Sequence, residues 1–258
     1  HLVDVIKPSF DLLPIFLERN VIAPYETPVR AIFPAHAKSP FYTNMNYAFR
    51  VFSFNPRKLS QKDVPKTWEE LLNPKWKGEI LFDESSVEEV TAMLGAWGKE
   101  KTVNYFTRLS QQQLQIRVGR DTTAQMMMAG EAPLAVTSYA YNTEGLRAKN
   151  APIDWVAQDL IPALIYPLVM ARHAPHPYAA ALFYDFMISE EGQRLIAQEG
   201  RVVVHPKVEP IYPRMKELQG LLGTPRVQIN TLEQNAKVIK DGVQILDEVI
   251  LKRKSASH

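Results

Sequence analysis

The sequence contains no cysteine. That absence removes disulfides, thiolate nucleophiles, cysteine-based zinc sites and iron–sulfur ligation together. An excess of one charge is missing too: 30 basic residues against 28 acidic ones leave a formal +2, too even for bulk electrostatic capture of nucleic acid. The basic stretch from Leu251 to Lys254 does not alter that balance. Long apolar runs are also lacking. The longest, Leu160 to Ala171, is broken by Pro162 and Pro167 and falls well short of the ~20 residues that span a bilayer. His1 to Ile6 has neither a basic n-region nor a long apolar h-region, so the chain reads as carrying no signal peptide of its own. Gly-x-Ser-x-Gly, Walker, His-Glu-x-x-His and Gly-x-Gly-x-x-Gly patterns are absent, and with them the common hydrolase, nucleotide, zinc-protease and dinucleotide signatures.

What is present describes a globular protein. The 258 residues, 46% hydrophobic and 22% charged, suffice for one large domain or two smaller lobes, each with its own core. The 19 prolines are spread along the chain as punctuation between elements. Strands are expected at Val3 to Ile6, Ala48 to Phe54, Glu79 to Phe82, Leu134 to Thr137, Ile153 to Val156 and Ala163 to Met170. Helices are expected at Asp11 to Asn20, after Ser86, after Thr122, at Glu144 to Lys149, from Pro177 through Met187, after Ser189 and over Leu232 to Ile250. Thr67 with Glu70, Ser86 with Glu89 and Thr122 with Gln125 all have the spacing of a capping box. Strands alternating with helices predict an α/β sheet protein.

Open α/β sheets bind ligands beyond the carboxyl ends of their strands, which selects three loops. Ser85 and Ser86 follow the strand ending at Phe82; hydroxyls and free amides at a helix start hold a carboxylate, phosphate or phosphonate. The plainer alternative is that Ser86 only caps its helix. The second loop, Gly119-Arg120-Asp121-Thr122, offers a guanidinium that forks onto an anion, or a solvated arginine on a turn. Tyr139, Tyr141 and Asn142 form the third. Two tyrosines at strand spacing share a face, and their phenols can hydrogen-bond a solute, ligate ferric ion or simply pack. His173 and His176 are separated by Pro175 and followed by Pro177, a poor frame for a helical ligand pair. The Met126-Met127-Met128 run suits helix packing. Neither a cofactor nor a resident metal is called for, and no catalytic constellation stands out. An enzyme on this scaffold would need a buried acid–base pair, for which Asp83, Glu84 and Asp121 are the acidic candidates.

The stretch Val64-Pro65-Lys66-Thr67-Trp68-Glu69-Glu70-Leu71-Leu72-Asn73-Pro74-Lys75-Trp76-Lys77-Gly78 resembles a signature of family 1 extracellular solute-binding proteins. Met128-Ala129-Gly130-Glu131-Ala132-Pro133-Leu134-Ala135, Ala174-Pro175-His176-Pro177 through Phe186, and Ser189-Glu190-Glu191-Gly192-Gln193 continue the likeness. It runs from Val3 to Pro210 and is nearest in look to the ferric-ion and small-anion receptors of ABC importers.

The resemblance implies a type II periplasmic binding fold, in which two α/β lobes joined by crossing strands close by a hinge over a solute. Lobe one would comprise residues 1–47 and 164–215, and lobe two residues 48–163 and 216–258 with the C-terminal helices. The strand–helix–strand unit that opens such proteins has no counterpart here, so lobe one is expected to be incomplete at its N-terminus. The ligand set implied is Ser85, Ser86, Arg120, Thr122, Tyr139, Tyr141 and Asn142, with Tyr47 and Arg50 contributing from the first crossover. Ferric-binding relatives carry adjacent tyrosines where this chain has Tyr139-Ala140-Tyr141. That departure favours an organic or inorganic anion; if the solute is ferric ion, Tyr139 and Tyr141 are its ligands. The implied protein is a periplasmic or extracellular monomer that delivers its solute to an ABC permease in the inner membrane. A ligand-sensing module with a signalling partner is the other non-enzymatic reading.

Overall fold

The computed structural model describes residues 3–252; what the sequence suggests for His1, Leu2, Arg253 and Lys254 lies outside the described residues. In chain order the elements begin with β1 (Val5–Ile6), α1 (Leu13–Glu18), β2 (Ile22–Ala23), β3 (Lys38–Ser39) and the long β4 (Tyr42–Phe54). Next come β5 (Ile80–Asp83), α2 (Val87–Trp97), α3 (Lys99–Ser110), β6 (Gln115–Arg117), α4 (Arg120–Ala129), β7 (Leu134–Tyr139) and α5 (Ala140–Ala148). After them follow β8 (Asp154–Val156), β9 (Ile161–Ala171), α6 (Pro177–Ile188), α7 (Glu190–Gln198), β10 (Val202–Val203), α8 (Pro213–Gly220), β11 (Val227–Gln228) and α9 (Leu232–Gln244), which continues as a π-helical turn over Ile245–Ile250. The chain divides into two compact units, His1–Ala48 with Leu164–Gly220 and Phe49–Ala163 with Leu221–His258.

In the first unit, β1 and β2 run antiparallel to the later part of β9, with Val5 opposite Met170 and Ile22 opposite Ala171. β3 and β10 pair antiparallel with the first half of β4, where Lys38 faces Thr43 and Val202 faces Tyr47. Pro177 opens α6 at a position where its missing N–H costs nothing. α6 buries Tyr184, whose hydroxyl lies 2.9 Å from Thr43 Oγ1 and 3.0 Å from the Leu168 carbonyl. Burial pushes that phenol up to about 12. Ser189 then caps α7 by accepting from the Gly192 amide.

The second unit is built on three parallel strands in the order β7-β5-β6, with Leu81 facing Ala135 on one side and Gln115 on the other. The second half of β4 adds antiparallel to β7 and β8. Side chains on a strand alternate faces, and the core follows that rule. Ile80 and Phe82 pack with Val90, Met93, Leu94, Phe106 and Leu109, whereas Leu81 packs with Ala124, Met127, Ala135 and Ile153 on the other face. Each fully buried aromatic or aliphatic side chain here contributes about 1.5–3 kcal/mol. Met127 is the buried member of the methionine run, and Met126 and Met128 pack at its margin.

Several local expectations need correction. The Thr67 hydroxyl does accept from the Glu70 amide at 3.1 Å, but Glu70 Oε2 accepts from the Lys66 amide, and a 3-10 turn over Glu69–Leu72 results. α3 was not anticipated, although Thr102, Tyr105, Phe106 and Leu109 are its buried positions and have helical spacing. α4 starts at Arg120 rather than after Thr122, because Gly119 at φ +91° makes the sharp turn just before it. α5 likewise starts at Ala140, four residues earlier than the apolar pattern suggests.

Candidate functional site

β5, β6 and β7 end side by side at Asp83, Arg117 and Tyr139, and each feeds a helix within a few residues: α2 at Val87, α4 at Arg120 and α5 at Ala140. Three helix starts therefore gather at the carboxyl edge of one parallel sheet, where unpaired amides and helix dipoles favour negative charge.

Arg120 connects these strand ends. Its Nε donates to the Thr137 carbonyl at 3.1 Å, its Nη1 to Ser85 Oγ at 3.1 Å, and its Nη2 to Glu88 Oε2 at 3.0 Å. Glu89 Oε2 lies 3.4 Å from the same Nη2. Arg50, on β4, is fully buried in the same unit. Its Nη2 donates to Glu88 Oε2, and its Nε stands 3.1 Å from Glu89 Oε1. Both guanidiniums lie over the Tyr139 ring, Arg50 at 3.7 Å and Arg120 at 5.0 Å from its centroid, a cation–π arrangement strengthened by desolvation.

Two guanidiniums and three carboxylates, Glu88, Glu89 and Asp83, thus share one water-poor volume. Burial pushes the Glu89 carboxyl above its ordinary range, opposed by Arg120 and Arg50. Burial alone would lower Arg120, but Glu89 and Glu88 outweigh it and hold the guanidinium more firmly protonated than usual. The two glutamates differ in access: the Glu89 side chain is 1% exposed and the Glu88 side chain 17%. Around them the hydrogen bonding is incomplete. Asp83 Oδ1 accepts from the Ser85 amide and hydroxyl, both at 2.7 Å, yet Asp83 Oδ2, Ser86 Oγ and Arg50 Nη1 are buried with no hydrogen-bond partner. Groups of this kind cost about 1–3 kcal/mol each unless something polar meets them.

Of the residues singled out by sequence, Ser85, Arg120, Tyr139 and Arg50 meet directly in this cluster. The Tyr141 ring centroid is 5.2 Å from that of Tyr139, and Asn142 Nδ2 donates to Asp121 Oδ1 at 2.9 Å. Ser86 is buried at the start of α2, and Thr122 is exposed on the first turn of α4. Tyr47 lies outside this unit. It belongs to the first unit, is buried there, and has its hydroxyl 3.1 Å from His36 Nε2; burial raises its pKa.

Two readings of these loops change. Ser86 makes no side-chain cap, because Glu89, the other half of the expected box, is drawn to the two arginines. Tyr139 and Tyr141 are not strand neighbours, since Tyr139 ends β7 and Tyr141 sits in the first turn of α5; they approach through the strand-to-helix turn. Glu88 was missed, and Glu89 was read only as a capping residue rather than as a partner of the arginines. Their signal was Arg50 within an apolar strand pattern, since a guanidinium that folds into a core needs a carboxylate partner.

Elsewhere in the second unit, a hollow of about 440 Å³ is lined by Trp68, Trp97, Lys101, Tyr105, Arg108 and Asp159, among others. Its polar groups serve one another: Tyr105 donates to the Trp68 carbonyl at 2.8 Å, and Arg108 pairs with Glu69 at 2.9 Å. His176 is tied to the Asp4 carboxylate by its amide at 2.7 Å and its ring at 3.2 Å. Among the described residues, no three His, Cys, Asp or Glu side chains are grouped to hold a metal ion, and no helix is long and apolar enough to cross a membrane.

A family model described as bacterial extracellular solute-binding protein matches residues 3–219. Iron uptake protein A1 of Synechocystis sp. is 24% identical over 185 residues, covering 64% of this chain and 51% of that protein. An uncharacterized protein of Haemophilus influenzae is 25% identical over 178 residues, covering 65% and 51%. The chain thus spans about half the length of the curated relatives it matches. Apo ferric ion-binding protein A of Pasteurella haemolytica has a TM-score of 0.83 at 16% identity, covering 100% of this chain and 85% of that one. Iron-bound HitA from Pseudomonas aeruginosa gives 0.78 at 19% identity, covering 96% and 83%. At such identities the likeness concerns architecture, and that architecture is the mixed α/β periplasmic binding protein fold.

Proposed function

Because the chain belongs to the bacterial extracellular solute-binding proteins, a family of binders rather than catalysts, we propose that it is the capture component of an ABC importer. In this reading it works outside the cytoplasmic membrane as a monomer and hands a small oxyanion, such as phosphate, a phosphonate or a carboxylate, to a permease. The observation that carries the reading is the convergence of Ser85, Arg120 and Tyr139 from three separate strand ends, with buried Arg50 beneath them. Helix starts supply partial positive charge and free amides, guanidinium and hydroxyl groups donate to oxygen, and Tyr141 and Asn142 border the same strand ends.

Ferric ion is a second reading, favoured by the Tyr139–Tyr141 ring pair and by what the named relatives bind. Phenolate oxygen is a hard donor suited to a hard cation. Isothermal titration with phosphate, phosphonates, small carboxylates, polyamines and ferric ion separates the possibilities. The oxyanion reading expects saturable binding of an oxyanion that is lost in Arg120→Leu. A visible charge-transfer band with ferric ion, and no oxyanion binding, would replace it with the metal reading.

A further inference from the structure

Glu88 is the one carboxylate of the cluster that touches both guanidiniums and still reaches solvent. Its Oε2 accepts from Arg50 Nη2 and from Arg120 Nη2, the latter at 3.0 Å, with its side chain 17% exposed. Glu89 beside it is 1% exposed and takes the remaining Arg50 Nε and Arg120 contacts. A carboxylate is itself an oxyanion. The place Glu88 occupies is bounded by Arg120, Arg50 and the start of the eleven-residue α2, donors that an incoming oxyanion would use. Arg50 Nη1 and Ser86 Oγ, both in fully buried residues at this spot, have no hydrogen-bond partner. A seat filled by a single carboxylate would leave such surplus donors.

We infer that Glu88 is an internal stand-in for the solute: its carboxylate holds the oxyanion seat in the empty protein, and the solute must displace it. Displacement is feasible for Glu88 because the side chain lies at the edge of the cluster and can turn to water, whereas Glu89 stays behind to keep Arg50 from being a bare buried charge. Glu88 thereby sets specificity. It imposes an affinity threshold that weakly coordinating anions do not pass, while an oxyanion engaging both guanidiniums does. The inference rests on the oxyanion reading of the same strand ends.

The test is isothermal titration of inorganic phosphate into the wild-type chain, Glu88→Gln, Glu88→Asp and, as a charge control, Glu79→Gln. Glu79 is exposed just before the opposite end of β5. Glu88→Gln should bind phosphate at least tenfold more tightly than the wild type. Glu88→Asp, which keeps the charge but shortens the reach by one methylene, should gain less, and Glu79→Gln should stay within twofold. The Asp variant also serves if the Gln variant does not fold. Equal or weaker binding in both Glu88 variants, alongside a wild type that binds, overturns the stand-in while leaving the oxyanion reading intact. An equal gain in Glu79→Gln reduces the effect to net charge and also overturns it. Failure of every form to bind phosphate, with methylphosphonate and acetate titrated in parallel and likewise unbound, overturns both.

Discussion

The two units each bury an arginine, and they do so in opposite ways. Arg30, in the first unit, spends its donors on main-chain carbonyls: Nη1 on Tyr25, and Nη2 on Ser39 and on Tyr42 at 3.2 Å. It pairs as well with Glu26, an exposed residue four positions earlier in the chain. Such an arginine fastens loop to strand, and every bond it makes is local in sequence. Arg50, in the second unit, meets carboxylates and an aromatic face supplied from 38 to 89 residues away along the chain. Backbone carbonyls cannot move without unfolding, but carboxylate side chains can. A guanidinium held by the first is structural; one held by the second remains available to a ligand.

The largest effect should come from breaking the carboxylate-held arginine. Arg50→Leu strands Glu88 and Glu89 beside a single cation and should destabilise the fold by about 3–5 kcal/mol, measured by urea unfolding; a loss below about 1 kcal/mol would mean the cluster is not buried in solution. Arg30→Leu leaves three carbonyls short of a donor and should cost roughly 3 kcal/mol. Unlike an arginine of the cluster, it should leave solute affinity unchanged in the protein that remains folded, and a loss of affinity would mean that the two arginines do not differ in role.

Alkaline stability sharpens the same contrast from the structural side. The Tyr184 phenol ionises near 10 when unfolded and is pushed up to about 12 by burial in the first unit. A raised folded pKa means that its contribution is whole below pH 10 and is lost as pH climbs from 10 to 12. The loss should be up to about 3 kcal/mol, and Tyr184→Phe should flatten that part of the curve. The smallest effects belong to the ligand face. Tyr139→Phe and Tyr141→Phe should weaken solute binding by about 1–3 kcal/mol with little change in unfolding midpoint; unchanged affinity in both would remove the phenols from the site.

Much of this was legible in the sequence for a physical reason. The β5, β7 and β9 strands are buried apolar runs between turn signals, and α6 and α7 carry Pro177 and Ser189 at their starts, so local chemistry alone marks them. The loops containing Ser85, Arg120 and Tyr139 follow from the general rule for the carboxyl ends of parallel strands. The pairing of Arg50 with Glu88 and Glu89 is not local. It depends on β4 lying next to β7, a contact that no spacing encodes, and for that reason the Ser86–Glu89 pair looked like a cap. Tyr47 belongs to the other unit. It is three residues from Arg50 on one strand, but the division between compact units falls between them, after Ala48.

On the proposed reading, the solute is held at the carboxyl ends of β5, β6 and β7 in the second unit. A crystal structure of the protein with the solute that binds it most tightly tests this most directly. Solute density is expected within hydrogen-bond reach of Arg120 and Tyr139, with the Glu88 side chain turned away from both guanidiniums. Density elsewhere, with Glu88 still bridging Arg50 and Arg120, would contradict it.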